Sequence, residues 1–390
     1  MNKALLSLAI GGFGIGLTEF VIMGILPDIA SAFSISIPEA GHFISSYALG
    51  VVIGAPLLTG LGSKWPANKV LFFLMLWFTV FNTLSAFATD YTSFIILRFL
   101  SGLPHGAFFG IGAVVAGKLS KPGKEAQGIA IMFSGLTFAN LLGVPLGTYF
   151  GKHFSWNISF LMVGIVGVIA VLGVKFWMPI LKQSSESNFF KEFRIFKRLE
   201  LWLIILLTAI GTGGFFAWYS YIAPLITDVA GHGKEVVSYA MILAGLGMVI
   251  GNFIGAKLAE KFSPIHAIII TLVFMVVFLS LNTYLASSKS LVLVMTFIIG
   301  IITFCLSTPI QVAIINASKG SETLGSSLNQ SAFNIGNASG AYFAGLPIAM
   351  GYGYTAADWV GAAMAGIGVF IAFGIILLRK RHAKLKICNS

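Results

Sequence analysis

Apolar residues fall along this chain in long blocks, not in the short alternation of a half-buried strand or the one-sided stripe of a water-facing helix. Twelve blocks are visible, near 4–26, 40–62, 69–89, 91–117, 125–150, 157–179, 201–226, 236–258, 264–286, 289–315, 322–349 and 355–378. Each matches the roughly 20 residues that carry a helix across about 30 Å of hydrocarbon. Short polar or proline-containing stretches separate them, such as Trp65-Pro66 and Lys121-Pro122-Gly123-Lys124. A backbone in lipid must satisfy its own N–H and C=O groups, so blocks of this length predict helices. Alternating strands of about ten residues, which a membrane barrel needs, are not seen. The predicted fold class is an all-α membrane protein with twelve transmembrane helices.

Composition agrees. Of 390 residues, 57% are hydrophobic and 9% charged, against about 25% charged in soluble domains. The net charge of +11 would suit nucleic acid, but its distribution does not. Twenty of the 24 Lys and Arg fall on one side of the blocks: Lys3; Lys64 and Lys69; Lys118, Lys121 and Lys124; Lys175 and Lys182; Lys191, Arg194, Lys197 and Arg198; Lys257 and Lys261; Lys319; Arg379, Lys380, Arg381, Lys384 and Lys386. The other side holds Lys152, Lys234 and Lys289, and Arg98 lies within a block. This positive-inside pattern predicts both termini in the cytoplasm. The first block is too long for a signal peptide, lacks an A-x-A site and runs into Pro27-Asp28. Cys305 and Cys388 are placed in a span and in the cytoplasmic tail, so no disulfide is expected. No metal motif, Walker loop or catalytic-triad spacing appears, so neither a cofactor nor an enzyme is predicted.

The chain repeats itself. A shift of 197 residues lays Gly50, Val52, Ile53, Gly54, Leu61 and Lys64 on the same residue types at Gly247, Val249, Ile250, Gly251, Leu258 and Lys261. The same shift lays Gly128, Ser134, Asn140 and Gly143 on Gly325, Ser331, Asn337 and Gly340. One constant offset predicts two six-helix bundles in parallel orientation: 1–180, then a polar linker at 181–200, then 201–390 with a short basic tail. Two similar rigid bundles can rock about a shared cleft at little cost, because neither must unfold to expose it.

Local motifs narrow the reading. Helix 1 carries GLTEFVIMGILPDIA from Gly16, helix 4 RFLSGLPHGAFFGIGAVVAGK from Arg98, helix 5 SGLTFANLLGVPLGTYFGKHFSW from Ser134 and helix 7 GFFAWYSYIAP from Gly214. With AGHFISSYALGVVIGAP from Ala40, these strings resemble the arabinose-efflux, AraJ-like permeases. That group belongs to the twelve-helix drug:proton antiporter section of the major facilitator superfamily. The resemblance implies proton-driven export of a sugar such as arabinose, or of an amphiphile such as chloramphenicol, through the inner membrane. A proton symporter for sugar or nucleoside uptake and a non-transporting sensor or scaffold remain alternatives. The expected partners are a small substrate, protons and lipid, with the monomer as functional unit.

The resemblance also marks helix 5. Gly135, Asn140, Gly143, Pro145 and Gly147 resemble the antiporter motif, with small residues every four positions and a proline that bends the helix. This small-residue face either packs closely on a neighbouring helix or seals one side of the cleft. The helix 2–3 loop departs from the family pattern, with Ser63 in its acidic position. Lys64, Glu260 and Lys261 are the candidate cytoplasmic gate.

Charges within spans are costly and rare. Glu19 and Arg98 each lie about eight residues, or ~12 Å, from the outer end of their helices, so a pair is expected. Burial favours the uncharged form of a carboxyl group, and water restores the charged one. Glu19, Arg98 and His105 are therefore the proton-coupling candidates, with a static ion pair and direct substrate binding as alternatives for Glu19. His105 could relay protons, contact substrate or satisfy a carbonyl freed by Pro104. Candidates for the substrate cleft are Tyr47, Phe109, Asn140, Phe216, Trp218, Tyr219, Gln311, Gln330 and Asn334, since amides and rings suit a sugar or a flat drug. Asp28 and Asp358 are placed near the outer surface, with Pro27-Asp28 ending helix 1 and a capping or gate role favoured. Asp90, Asp228, Glu39 and Glu235 are read as solvated loop charges.

Overall fold

The computed structural model describes residues 2–35, 37–181 and 193–388. Lys182 and Lys191, with most of the expected linker, lie outside the described residues, as do the side chains of Pro27, Lys384, Lys386 and Cys388. Twelve membrane-length helices are present among the described residues: α1 (Lys3–Ala32), α2 (Ile37–Gly62), α3 (Ala67–Ser85), α4 (Tyr91–Lys118), α5 (Glu125–His153), α6 (Trp156–Trp177), α7 (Leu199–Tyr219), α8 (Lys234–Lys261), α9 (Pro264–Leu285), α10 (Lys289–Ala317), α11 (Glu322–Ala349) and α12 (Ala356–Cys388). Eleven are long and apolar enough to cross a bilayer. The twelfth, α11, has the length but carries Ser326, Ser327, Asn329, Gln330, Asn334 and Asn337, which lower its apolarity.

The helices fall into two compact units. One comprises Met1–Phe193 with Ser326–Ser331, the other Arg194–Gly325 with Ala332–Ser390. In the first unit α1 packs on α5 and α6, and α4 on α2 and α3; in the second α8 packs on α10, and α9 on α10 and α12. The 197-residue repeat reappears as packing. A Cβ on Gly50 or Gly54 would come within 2.3 Å of Phe99 O or 2.1 Å of Leu103 O on α4. Their repeat partners Gly247 and Gly251 would come within 2.3 Å of Phe297 O and 2.0 Å of Ile301 O on α10. Only glycine allows backbones to approach this closely. The turns entering α5 and α11 match as well. Gly123 and Gly320 take φ values of 76° and 88°, which glycine adopts without strain. Their N–H groups donate to Glu125 Oε1 (3.0 Å) and Glu322 Oε1 (2.9 Å).

Prolines are accommodated in four different ways. Pro27 was expected to end the first helix, but α1 runs on to Ala32. Ile29 and Ala30 sit in an apolar cluster with Phe43, Phe94, Trp156 and Phe160, and their burial holds the helix past the proline. Pro104 leaves α4 unbroken, because the Leu100 carbonyl that it deprives of a donor accepts from Trp77 Nε1 at 2.8 Å. This Trp77 contact, not His105, satisfies the freed carbonyl. In the first unit Pro56 likewise frees Val52 O, which accepts from Ser331 Oγ at 3.1 Å. Pro145 follows a widened five-residue turn, Ala139–Gly143, in which Val144 N–H reaches back to Ala139 O. The span expected over 201–226 stops at Tyr219 and resumes as Ile222–Pro224 and a wide turn over Leu225–Val229, since Pro224 has no N–H to continue the ladder. Asp90 proves to be a cap as well as an exposed charge. It accepts from Ser93 N–H (2.9 Å) in a reciprocal capping box, and that donor with the Ser93 hydroxyl holds its carboxyl below the usual carboxylate range.

Candidate functional site

Arg98 is the centre of a polar chain inside the first unit. It is completely buried. Its Nη1 donates to Thr18 Oγ1 at 2.9 Å, and its Nη2 lies 3.4 Å from Thr18 O. Thr18 in turn donates to Asn82 Oδ1, and Asn82 Nδ2 is fixed on Phe78 O at 2.8 Å. The guanidinium lies 4.3 Å from the centroid of the Tyr47 ring and 5.6 Å from that of Phe160. A desolvated cation–π contact of this kind contributes about 2 kcal/mol. Tyr47 Oη is 3.1 Å from His105 Nδ1. The His105 ring is 5.4 Å from Phe109, which stacks on Phe133 at 5.2 Å. Helices α1 to α6 therefore bring Tyr47, Arg98, His105 and Phe109 together.

Glu19 does not join this chain as expected. The ion pair inferred from matching depth is not formed, since the hydrogen bonds of Arg98 go to Thr18. The reason is rotational: consecutive residues of a helix point about 100° apart. With Thr18 turned to α3 and α4, Glu19 is turned off that line. It stays within electrostatic reach of Arg98. It is 5% exposed, and its Oε1 is buried without a hydrogen-bond partner, as is Arg98 Nε. One buried acceptor and one buried donor thus stand unmatched in the same region.

The small face of α5 packs on α1. A Cβ at Gly135, Gly143 or Gly147 would meet Ala9 O, the Phe13 ring or the Val21 side chain. The Asn140 amide lies at the widened turn and donates to Leu136 O of its own helix at 3.1 Å. Lys64 follows the end of α2, while Glu260 and Lys261 end α8, with Lys261 Nζ 5.6 Å over the Phe262 ring.

In the second unit α7 builds an aromatic cluster. Phe215 stacks on Tyr219 at 4.9 Å, and Phe216 meets Phe333 edge-on at 5.1 Å. Trp218 is fully buried with Nε1 unpartnered. Gln311 and Asn334 are buried in this unit, while Gln330 is buried and groups with the first. Sequence reasoning missed Thr18, Asn82, Trp77 and Asn282. Each is a polar group in an otherwise apolar stretch, and that was the available signal. Asp358, in the first turn of α12, is completely buried and accepts from Asn282 of α9. Among the described residues no cluster of three or more His, Cys, Asp or Glu could hold a metal ion.

Comparison with known proteins agrees with this architecture. The sequence matches the profile of the Major Facilitator Superfamily over residues 8–341 and 220–387. It is 38% identical to AraJ of Escherichia coli (strain K12) over 390 residues, all of this chain and 98% of that protein. It is also 38% identical over full length to the inner membrane transport protein YdhP of the same strain. A chloramphenicol resistance protein of Streptomyces lividans is 26% identical and covers 96% of each chain. The crystal structure of the transporter FucP in an outward conformation superposes with a TM-score of 0.78 at 13% identity, covering 95% of this chain and 98% of that one, which shows the shared fold. The chain is therefore a membrane transporter, not an enzyme, and belongs to the major facilitator superfamily.

Proposed function

We propose that this transporter exports a small molecule, a sugar or an amphiphilic drug, across the inner membrane in exchange for protons, with Glu19 as the coupling acid. The observation that carries the reading is the buried, unpartnered Oε1 of Glu19 in a membrane span. An unpaired buried carboxylate costs several kcal/mol, and a neutral carboxylic acid far less. A proton therefore stabilises Glu19 while it is enclosed, and water or a cation reaching it favours release. Arg98, fixed by Thr18 and Tyr47, keeps a positive charge near the acid without cancelling it by contact. His105, through Tyr47, is the candidate relay.

Export is supported by full-length similarity to AraJ and YdhP and by the more distant chloramphenicol resistance protein. The substrate contacts we assign are Phe109, Asn140, Phe216, Trp218, Tyr219, Gln311, Gln330 and Asn334, with rings for a planar body and amides for its polar rim. Lys64, Glu260 and Lys261 would form the cytoplasmic gate. The protein would act as a monomer.

The test uses proteoliposomes holding a pH-sensitive dye, with pentoses, chloramphenicol-like drugs and lipophilic cations as trial substrates. Proton flux that depends on one compound and vanishes in Glu19→Gln supports the reading. Compound-dependent proton flux that persists in Glu19→Gln removes Glu19 as the coupling acid.

A further inference from the structure

The second unit holds a buried acid that the coupling reading does not use. Asp358 stands in the first turn of α12, where a carboxylate ordinarily caps free N–H groups. Here those groups are already taken. The N–H groups of Ala356, Ala357 and Asp358 donate to Gly353 O (3.2 Å), Tyr354 O (3.2 Å) and Thr355 O (3.1 Å). The carboxyl group turns instead to α9. There Asn282 Nδ2 lies 3.2 Å from Asp358 Oδ1 and 3.1 Å from Oδ2. Both residues are at most 1% exposed. Asn282 Oδ1 is buried and has no partner.

This arrangement lacks one donor. Two carboxyl oxygens share a single amide nitrogen, and the amide oxygen beside them has none. Flipping the amide does not help, because Oδ1 would then face two acceptors. One proton on Asp358 corrects the deficit: its O–H donates to Asn282 Oδ1 while Nδ2 donates to the other carboxyl oxygen. A small turn of the amide plane gives a closed acid–amide pair with two hydrogen bonds.

Among the described residues of the helices packed on α12, no cation competes with the proton, and Lys289, which opens α10 beside α9, extends its side chain to Gly231. Helix α12 packs against α7 and α9. Among the described residues, the charged groups of these helices lie at their far ends. Arg379 of α12, paired with Glu200 of α7 at 2.6 Å, is 21 residues from Asp358, or ~30 Å; Lys380 and Arg381 follow it. His266 of α9 is 16 residues from Asn282, or ~24 Å. Of the nearer titratable groups, Tyr284 meets the Trp359 ring at 6.2 Å and is 71% exposed, and Tyr219 stacks on Phe215. Tyr221 donates to Ala341 O at 3.2 Å.

We infer that the Asp358–Asn282 pair is a proton-binding site in the second unit, separate from Glu19, occupied at neutral pH and joining α9 to α12. The test is infrared spectroscopy of the full chain in lipid nanodiscs at neutral pH, with ¹³C-labelled aspartate to mark its four Asp residues. The expected result is an isotope-shifted carboxylic-acid C=O band that Asp358→Asn removes and Glu19→Gln leaves in place. Asn282→Leu should move that band, because the acid loses its N–H donor. Asp358→Asn can form the same two bonds as an amide–amide pair, so its fold should survive. Labelled wild type without an acid band overturns the inference whether or not the variants fold. A band that neither Asp358→Asn nor Asn282→Leu alters overturns it too.

Discussion

Arg98 shows how a single buried charge is kept without a counter-ion in contact. Its guanidinium has two donors on Thr18 and an aromatic face on Tyr47. Tyr47→Phe keeps the ring and loses the His105 contact, so thermal unfolding should show a loss of about 1 kcal/mol. Tyr47→Leu removes the ring as well and should cost about 2 kcal/mol more. Equal losses in the two variants would show that the ring does not hold Arg98. Arg98→Lys keeps the charge but loses the planar fork, so the Tyr47 contribution should shrink in a double-mutant cycle. Glu19 and Arg98 were legible as functional candidates because a charge in an apolar block stands out. Their relation was not legible, because it depends on which way each helix is rotated.

At the scale of the element, packing is set by glycines and by what each proline displaces. Gly54→Val and Gly251→Val should destabilise their units by about 1–3 kcal/mol through overpacking. Gly41→Ala, where a Cβ would meet nothing within 4 Å, is the control without a clash and should not lower the melting temperature, since alanine favours the helix over glycine. Trp77→Phe should cost about 1–3 kcal/mol, since it leaves the Leu100 carbonyl without a donor. The Asp90 cap gives a pH signature. Its carboxyl is held below the usual range, so its contribution is present above the unfolded value and is lost as pH falls through the folded one. Stability measured against pH should therefore show wild type losing its advantage over Asp90→Asn on acidification. An advantage that grows on acidification would reverse the sign and refute the assignment.

For the whole molecule, the twenty-to-three split of basic residues sets the topology prediction. A green fluorescent protein fused after Ser390 should fluoresce, and an alkaline phosphatase there should be inactive; the opposite result would place the C-terminus outside. The span pattern, the 197-residue repeat and the presence of a buried acid could be read from the sequence, because lipid forces apolarity on every spanning block and duplication leaves a constant offset. The polar residues of α11 lower its apolarity, yet its block was still legible at 322–349. Other features depend on the tertiary structure. It turns Thr18, not Glu19, toward Arg98, brings Trp77 to the carbonyl freed by Pro104, and carries helix α1 through Pro27. It also buries Asp358 against Asn282, 76 residues away. The sequence records that a charge lies within an apolar block, since that is a property of its own neighbourhood in the chain. Its partner lies on another helix, and the rotation and depth at which two helices meet exist only once they pack.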